Sequence, residues 1–328
     1  MDRLDAVWSS DLPAEDGQAY DRFVAGAKSG HYSQRRSWAR LAAASGTFAP
    51  SYFLARREGR VTGAALLLRT RRSGITLPFA QSERGPVCDD PQDLPAVLAA
   101  LRRCALARGI LRLSVMPYWA GAEKAQAEES LRRRGFRDRQ SFAGRHVRTL
   151  RLALDTLPPD EPYAEHAPRQ VRQNMRRAER AGATARPGRK QDMAAFRQMH
   201  EQLLGLEGKG PPPAAWYDAV ADFYLAEGAI FVCEHEGKII SAIFVARHGT
   251  RATYVMGASS GEAARFPKMI LPLAAAIAWA RENGIESFDL GGIPMDGDSD
   301  AKRASIAEFK RSFSRHEIAL VHEHVRWF

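Results

Sequence analysis

The stretch Phe53-Leu-Ala-Arg-Arg-Glu-Gly-Arg-Val-Thr-Gly-Ala64 has a counterpart later in the chain, Phe231-Val-Cys-Glu-His-Glu-Gly-Lys-Ile-Ile-Ser-Ala242. The two stretches are offset by 178 residues, and their Phe, Glu, Gly and Ala residues fall in register. Each is typical of a strand, a Glu-Gly turn and a second strand. Because the spacing is too long for a solenoid repeat, the sequence predicts two copies of one domain, with a ligand-binding cleft between them.

The predicted elements follow the same order in both copies: three strands, a loop, a helix and a fourth strand. This order predicts the α+β class, with mixed, mostly antiparallel sheets flanked by helices. The segment 155–162 contains three prolines and is typical of a linker. We therefore expect a first domain over 1–155, a second over 163–313, and a strand-forming tail over 314–328 as a candidate for packing back on the first domain.

The composition favours a polyanionic partner. Among 328 residues, 48 are Lys or Arg and 38 are Asp or Glu, which gives a net charge of +10. Such an excess suits nucleic acid or an anionic membrane surface. The most apolar run, 269–280, has 12 residues, whereas a spanning helix needs about 20. Because the first residues also show no signal-peptide pattern, we expect a cytoplasmic protein.

The sequence offers no pattern for a metal site. Its three cysteines, Cys88, Cys104 and Cys233, are far apart and form no zinc-binding motif. The acidic segment 296–300 resembles a calcium loop but lacks the closing Glu and the flanking helix pair. We therefore expect no bound metal.

The segment 168–182 is predicted to form a strongly basic helix. Pro168 suits its first turn, and Gly182 suits the position just past its end. Five arginines project from it: Arg169, Arg172, Arg176, Arg177 and Arg180. From 168 to 190 there are eight Lys or Arg residues and one acid, hence a charge of +7. Because arginines pair well with phosphates, the helix is a candidate phosphate-binding surface; the alternative is a solvated face neutralised by acids from elsewhere in the fold.

Lys310 lies among aromatic residues in the segment Ile306-Ala-Glu-Phe-Lys-Arg-Ser-Phe313. A lysine that stays charged in such surroundings can stabilise a developing oxyanion. The alternative is a lysine in a surface salt bridge. Upstream, Gly291 and Gly292 follow a predicted strand, where glycine allows a sharp turn or a close approach of the backbone to a ligand.

Six segments occur in an informative order along the chain: His31-Tyr-Ser-Gln-Arg-Arg-Ser-Trp38, Arg84-Gly-Pro-Val87, Arg172-Gln-Asn-Met-Arg-Arg-Ala-Glu-Arg-Ala-Gly182, Tyr254-Val-Met-Gly-Ala258, Phe288-Asp-Leu-Gly-Gly-Ile293 and Glu308-Phe-Lys-Arg-Ser-Phe313. In this order they resemble the Fem family of peptidyltransferases. The resemblance implies two acetyltransferase-like (GNAT) domains in tandem. It also implies transfer of an amino acid from aminoacyl-tRNA to an amino group, usually on the stem peptide of a peptidoglycan precursor.

The resemblance assigns roles to residues of these segments. It places Lys310 and Tyr254 on the transfer channel as the catalytic residues. The Arg stripe of the basic helix, together with Arg311, would contact the tRNA. Because the ester of aminoacyl-tRNA is already activated, no metal or organic cofactor is expected. If the acceptor is lipid-linked, the protein would also contact a membrane peripherally. Substrate contacts are implied for a larger set: Gln34, Trp38, Arg84, Gly85, Gly291, Gly292 and Phe309.

The chain departs from the family pattern on the acceptor side. Many members have Asp-Pro at the end of the first-half strand, where this chain has Met116-Pro117, so a carboxylate considered as base or substrate contact is missing. Many members also carry a Lys shortly after the Trp38 position, where this chain has Arg40-Leu-Ala-Ala. The usual Arg near 200–207 has no clear equivalent either, although His200 and Lys209 are candidates.

Two other functions remain open on the same fold. An acyl-CoA-dependent N-acyltransferase, acting on a small molecule or a cell-envelope component, would need a glycine-rich loop whose N–H groups hold pyrophosphate. Here that loop would be 259–268, with one Gly and a Glu, or 83–86 in the first copy, where a proline removes a donor. The other alternative is a non-catalytic protein that binds RNA or anionic lipid, for which Lys310 would be dispensable.

Overall fold

The computed structural model describes residues 4–139, 147–158, 161–295 and 298–328. The chain forms two compact units, the first consisting of Met1–Val147 with Ile318–Phe328 and the second of Arg148–Glu317. Strands and helices are numbered along the whole chain. The α+β class predicted from the sequence is confirmed, with one mixed sheet at the centre of each unit.

The division between the units falls earlier than residue 155, because Arg148–Ala153 is already a strand of the second sheet. The proline-rich segment 155–162 therefore belongs to the second unit, and its residues 159 and 160 lie outside the described part of the chain. Residues 318–328 of the predicted tail belong to the first unit, where His324–Trp327 is a strand between two others.

Among its described residues, the first unit has a sheet of eight strands and four α-helices, with a 3₁₀ turn at Tyr32–Gln34. The strand order is β1-β2-β3-β4-β6-β15-β7, with β5 beside β3. Of the described neighbours, β4 and β6 alone run parallel. The elements are β1 (Asp5–Ser9), α1 (Ala14–Gly26), α2 (Arg36–Ala44), β2 (Phe48–Arg57), β3 (Arg60–Arg72), β4 (Ile75–Arg84), β5 (Val87–Cys88), α3 (Leu94–Ala107), β6 (Arg112–Pro117), α4 (Gly121–Arg133), β7 (Arg137–Asp138) and β15 (His324–Trp327).

Helix α3 forms the core of the first unit because its apolar residues recur on one face. Leu94, Val97, Leu98 and Leu101 are fully buried and belong to the same cluster as Phe53 of β2. Full burial of such a side chain contributes roughly 1.5–3 kcal/mol. This helix therefore packs on the sheet, mainly against β1, β2 and β3.

The described residues of the second unit form a sheet of seven strands in the order β14-β8-β13-β12-β11-β10-β9, in which β12 and β13 run parallel. It has six α-helices among its described residues, with a 3₁₀ turn at Lys190–Asp192. The elements are β8 (Arg148–Ala153), α5 (Tyr163–His166), α6 (Arg169–Arg180), β9 (Thr184–Pro187), α7 (Met193–Leu206), α8 (Ala214–Glu227), β10 (Gly228–His235), β11 (Lys238–His248), β12 (Arg251–Ser259), α9 (Ile270–Glu282), β13 (Ser287–Ile293), α10 (Ala301–Arg311) and β14 (Glu317–Ala319). The second unit ends at Glu317, the first residue of β14.

Helix α6 packs one narrow face on the core of this unit. Val171 and Ala178 are fully buried in the same cluster as Ile277 of α9 and Phe288 of β13. This spacing of apolar residues leaves the rest of the helix surface for polar side chains. The predicted basic helix thus forms, and its arginine-rich surface is not part of the core.

The two units differ where their parallel strands run side by side. In the first unit, β4 and β6 pair along the whole of β6. In the second, β12 and β13 pair only over Arg251–Thr253 and Ser287–Asp289, although both strands continue. Beyond these residues the two strands do not pair with each other. The candidate site lies at this point of the second unit.

Candidate active site

Lys310 is a buried cation next to the end of β13. Its side chain lies in α10 and is only 8% exposed. Nζ donates to the carbonyl of Gly292 at 2.8 Å and lies 5.7 Å from the centroid of the Tyr254 ring. Burial lowers the pKa of Lys310 to about 8, and the Asp289 carboxylate acts in the opposite direction. At pH 7 the ammonium is therefore largely protonated.

The close approach of these groups requires glycine at position 291. Gly291 has φ of +80°, and a Cβ there would lie 2.8 Å from the carbonyl oxygen of Tyr254 and 3.2 Å from Nζ of Lys310. Both the backbone conformation and the contact exclude a larger residue without a shift. The family resemblance implied substrate contacts for Gly291 and Gly292, and the structure places both against Lys310.

Asp289 holds this turn in place and was missed by the sequence analysis. Its Oδ1 accepts from the Gly291 N–H at 2.7 Å and from the hydroxyl of Thr149, and its Oδ2 lies 3.6 Å from Nε of Arg151. The carboxylate is buried. The sequence did contain a signal for this role: Asp289 lies between Phe288 and Leu290, and an acid buried inside an apolar strand needs hydrogen-bond or charge partners.

Tyr254 lies where the pairing between β12 and β11 is irregular. Phe244 pairs with Met256 and Val245 with Tyr254, so Val255 is an extra residue without a partner in this register. A bulge of this kind bends the strand and frees its backbone groups from the ladder. Burial raises the pKa of Tyr254 to about 12, so the phenol stays neutral.

Two residues predicted for the site are held by other partners. Phe309 packs against the core of the second unit, with its ring centroid 5.4 Å from that of Phe313. The guanidinium of Arg311 pairs with Glu308 at 2.8 Å and with Glu317 at 3.3 Å. Arg311 is therefore already neutralised in part, unlike the arginines of α6.

In the first unit, the structure brings Gln34, Arg84 and Gly85 together. Gln34 is fully buried; its Nε2 donates to the hydroxyl of Ser82 at 3.2 Å and to the carbonyl of Glu83, and its Oε1 accepts from the N–H of Leu66 at 2.8 Å. A Cβ at Gly85 would lie 2.6 Å from Oε1 of Gln34. Gln34 therefore holds the backbone of the loop that follows β4.

Arg84, the last residue of β4, contacts a cluster of aromatic residues. It is buried with φ of +58°, and its guanidinium carbon lies 5.6 Å from the centroid of the Tyr118 ring. His31, which the sequence analysis did not single out, packs 4.7 Å from the same ring. Trp38 lies edge-on to Tyr32 at 5.2 Å. Met116, which replaces the family's carboxylate, is buried and its N–H donates to the carbonyl of Gly85 at 2.8 Å.

The α6 arginines form a stripe without carboxylate partners among the described residues, and all but the half-buried Arg172 are exposed. Arg172 donates to the carbonyl of Glu165 at 2.9 Å, and Arg180 donates to that of Arg176 at 3.1 Å. Within the described ranges none of the five is in an ion pair. The stripe consists of Arg169, Arg172, Arg176, Arg177 and Arg180. It therefore carries uncompensated positive charge.

The loop between β12 and α9 is occupied by a lysine of the chain itself. Nζ of Lys268 donates to the carbonyls of Ser260 and Glu262, and lies 3.3 Å from the Ser260 hydroxyl. The N–H of Ser260 donates to the carbonyl of Ile240 at 2.9 Å. This loop thus presents carbonyls to a cation, whereas a pyrophosphate cradle presents N–H groups to an anion.

The described residues form no cluster suited to a metal ion. In that part of the chain, no group of three or more His, Cys, Asp or Glu residues is arranged to hold a metal ion. Residues 296 and 297 of the acidic segment 296–300 lie outside it. A cavity of about 890 Å³ is present between α5, α6 and α9, and it contains none of the predicted site residues.

Both halves of the chain match known families. Residues 16–145 match the FemAB family, and residues 167–311 match the acetyltransferase (GNAT) domain. No curated protein matches the chain. None of the helices described for the chain has the length and apolar character needed to cross a bilayer.

Several solved structures share this fold over nearly the whole chain. The crystal structure of FemX gives a TM-score of 0.77 at 17% identity, covering 99% of this chain and 97% of that one. The C-terminal domain of a putative lysylphosphatidylglycerol synthetase from Agrobacterium fabrum gives 0.59 at 16% identity, covering 95% and 91%. A tandem GNAT protein from the clavulanic acid biosynthesis pathway gives 0.60 at 12% identity, covering 99% and 98%.

These matches first define a class: the chain is a transferase built from tandem GNAT-like domains. The resemblance seen in the six sequence segments is confirmed by the match over 16–145 and by the likeness to FemX. Within the class, residues 16–145 match the FemAB family, and the fold over nearly the whole chain is like that of FemX.

Proposed function

We propose that this chain transfers an aminoacyl group from aminoacyl-tRNA to an amino group of a peptide acceptor, with a peptidoglycan precursor as the acceptor class. The observation that carries the proposal is the Lys310 ammonium, buried beside Tyr254 where β12 and β13 cease to pair. The match to the FemAB family and the likeness to FemX support the same chemistry.

The reaction is aminolysis of an ester. The acceptor amine attacks the ester carbonyl, a C–N bond forms, the C–O bond to the ribose breaks, and the departing oxygen takes up the proton that the amine loses. The tetrahedral intermediate carries an oxyanion. A fixed ammonium in a site shielded from water stabilises such an anion more than it stabilises the neutral ester. Lys310, oriented by the Gly292 carbonyl, is the group for this task.

The tRNA is assigned to the α6 stripe. Phosphates are the ligands that a row of unpaired arginines binds best, through two parallel charge-assisted hydrogen bonds each. Contacts of this kind give affinity and salt dependence, and leave the choice of tRNA to other contacts. The acceptor is assigned to Arg84 and Trp38 of the first unit, with Gln34 and Gly85 shaping the loop that carries Arg84.

The second candidate function is acyl-CoA-dependent N-acyl transfer, which the match of residues 167–311 to the GNAT domain favours. The loop before α9 speaks against it. Lys268 already uses two carbonyls of that loop, and Pro267 offers no N–H. A CoA pyrophosphate would have to displace these contacts and find other donors.

Purification of the chain with its bound RNA, at low and at moderate salt, separates the two functions. We expect sequencing of that RNA to show enrichment of one or a few tRNA species, which would also name the amino acid. In parallel, the melting temperature is measured with an acyl-CoA and with deacylated tRNA. Absence of any tRNA enrichment, together with a rise in melting temperature on addition of acyl-CoA, would replace aminoacyl transfer by acyl transfer.

A further inference from the structure

The first unit concentrates its exposed apolar side chains at one end of its sheet. In the described part of this unit, four large hydrophobic side chains are exposed: Ile75 (67%), Leu106 (49%), Leu111 (50%) and Trp327 (66%). All four lie where β4 and β6 begin and where α3 and β15 end. We call these four residues the sheet-end patch.

Backbone pairing brings together the strand ends that carry the patch. The N–H of Leu111 donates to the carbonyl of Pro78 at 2.8 Å, and the carbonyl of Leu111 accepts from the N–H of Phe328 at 3.0 Å. Phe79 and Trp327 both pair with Arg112, one on each side, and their ring centroids are 6.2 Å apart. Ile75 is the first residue of β4 and pairs with Arg72 of β3.

The surroundings of the patch are rich in arginine. The segments 69–79, 101–112 and 324–328, which contain the patch and its strand neighbours, have eight arginines and no Asp or Glu. Arg112 lies 3.7 Å from Glu323. Among the described residues, Arg71, Arg72 and Arg102 have no carboxylate within ion-pair distance. The patch is therefore an exposed apolar surface bordered by positive charge.

The combination of exposed apolar side chains and neighbouring arginines indicates which kind of partner binds the patch. A second copy of the chain would bring arginines against arginines, which disfavours a symmetric contact. RNA would use the arginines but would gain nothing from Ile75, Leu106 and Leu111. An anionic bilayer uses both features, because its phosphates attract the arginines while aliphatic side chains enter the acyl boundary and tryptophan lies at headgroup level.

We propose that the sheet-end patch docks the first unit on an anionic phospholipid surface. This goes beyond the proposed transfer reaction and does not depend on it, since neither tRNA nor Lys310 takes part. Its consequence for the chain is a stable position at the membrane face, where lipid-linked acceptors are displayed. The contact is peripheral, with the arginines on the headgroups and the four apolar side chains at the boundary.

Vesicle co-sedimentation of the full chain tests the proposal directly. The probes are vesicles of phosphatidylglycerol mixed with phosphatidylcholine, and vesicles of phosphatidylcholine alone. We expect binding to the anionic vesicles, weakened by salt, and at least a tenfold loss in the partition coefficient for Ile75→Ser with Trp327→Ser. The matched control is Leu206→Ser, an 86% exposed leucine of the second unit, which should bind like the wild type.

A second variant tests the charge without touching the apolar residues. Arg71→Gln with Arg72→Gln should weaken binding about fivefold per arginine at low salt, since each arginine near an anionic surface contributes about 1 kcal/mol. The proposal is overturned if the wild type binds both kinds of vesicle equally, or if the patch variants bind as well as Leu206→Ser. It is also overturned if only Arg176→Glu with Arg180→Glu abolishes binding, because α6 would then be the lipid-binding element.

Discussion

The charge of Lys310 decides how the candidate site acts. Replacement by Met removes the ammonium and keeps most of the side-chain volume. We expect the rate of aminoacyl transfer to fall by about 10²–10³-fold, the loss seen when one oxyanion donor is removed. Lys310→Arg keeps a charge in a different geometry and should recover part of the rate. Single-turnover transfer from a defined aminoacyl-tRNA measures both.

The melting temperature controls for folding in this series. Because burial of the ammonium is unfavourable for the folded state, Lys310→Met should not lower it by more than a few degrees. A Lys310→Met chain that folds normally and transfers at the wild-type rate would leave the non-catalytic alternative standing.

The pKa of Lys310 also predicts the pH profile. Deprotonation above the pKa of about 8 removes the positive charge, so kcat/KM should decline as pH rises through 8. In Lys310→Arg the guanidinium stays protonated, and this decline should move to higher pH. An increase in kcat/KM through pH 8 that disappears in Lys310→Arg would instead make Lys310 a proton acceptor.

Gly291 provides a test of the local geometry. Gly291→Ala places a methyl group 2.8 Å from the Tyr254 carbonyl oxygen in a left-handed backbone. The conformation alone costs about 1–2 kcal/mol, and the contact adds to it. Gly284, with φ of +68° and nothing within 4 Å of a Cβ, is the matched control. Urea unfolding should show a larger loss of unfolding free energy for Gly291→Ala than for Gly284→Ala. Aminoacyl transfer should be lost in Gly291→Ala only. Equal effects of the two substitutions would argue against the close approach of Gly291 to Tyr254.

At the scale of elements, α6 predicts how tRNA binding depends on salt. The slope of log K against log salt concentration falls by about 0.7–0.9 for each phosphate contact removed. Arg176→Glu with Arg180→Glu should therefore reduce its magnitude by at least about 1.4. Arg132→Glu with Arg133→Glu, on exposed positions of α4, changes the net charge equally and should leave the slope nearly unchanged. Filter binding at four salt concentrations is sufficient, and equal slopes in both variants would remove α6 from the interface.

The sequence predicted the elements whose residue pattern is local. Helix α6 has a clear period of apolar residues, a proline before it and a glycine after it, so its bounds were nearly right. Helix α8 was missed because it is apolar on several faces and follows three prolines, which left no period to read. The segment 155–162 was read as a linker since nothing in the sequence shows that β8 joins the second sheet.

The candidate site was predictable only in its parts. The aromatic neighbours of Lys310 and the paired glycines are visible in the sequence, and the structure brings them together. The burial of Nζ and its bond to Gly292 depend on the packing of α10 against β13, which no local pattern encodes. Arg311 shows the same limit, because its partner Glu317 becomes apparent only when the chain turns back after α10.

At the scale of the whole molecule, β15 makes the first unit depend on residues that follow the second. Val321 and Val325 are buried in the first unit, and β15 lies between β6 and β7. Deletion of 320–328 should unfold that unit while the second unit stays folded. Hydrogen exchange checks this, with fast exchange expected in α3 and protection retained in α9. Trp327→Ala, which keeps the backbone pairs, should retain protection in both helices, and unchanged exchange after the deletion would contradict the expectation.

The position of β15 also sets the order of events during synthesis. A ribosome adding about 5–20 residues per second needs roughly 9–35 s to proceed from Val147 to His324. Throughout that interval the nascent first unit has an open edge at β6, with unpaired N–H and C=O groups that other chains can pair with. The second unit can complete its sheet in the meantime. Rapid translation of residues 148–323, or a chaperone held at that edge, would therefore protect the yield of this protein in the cell.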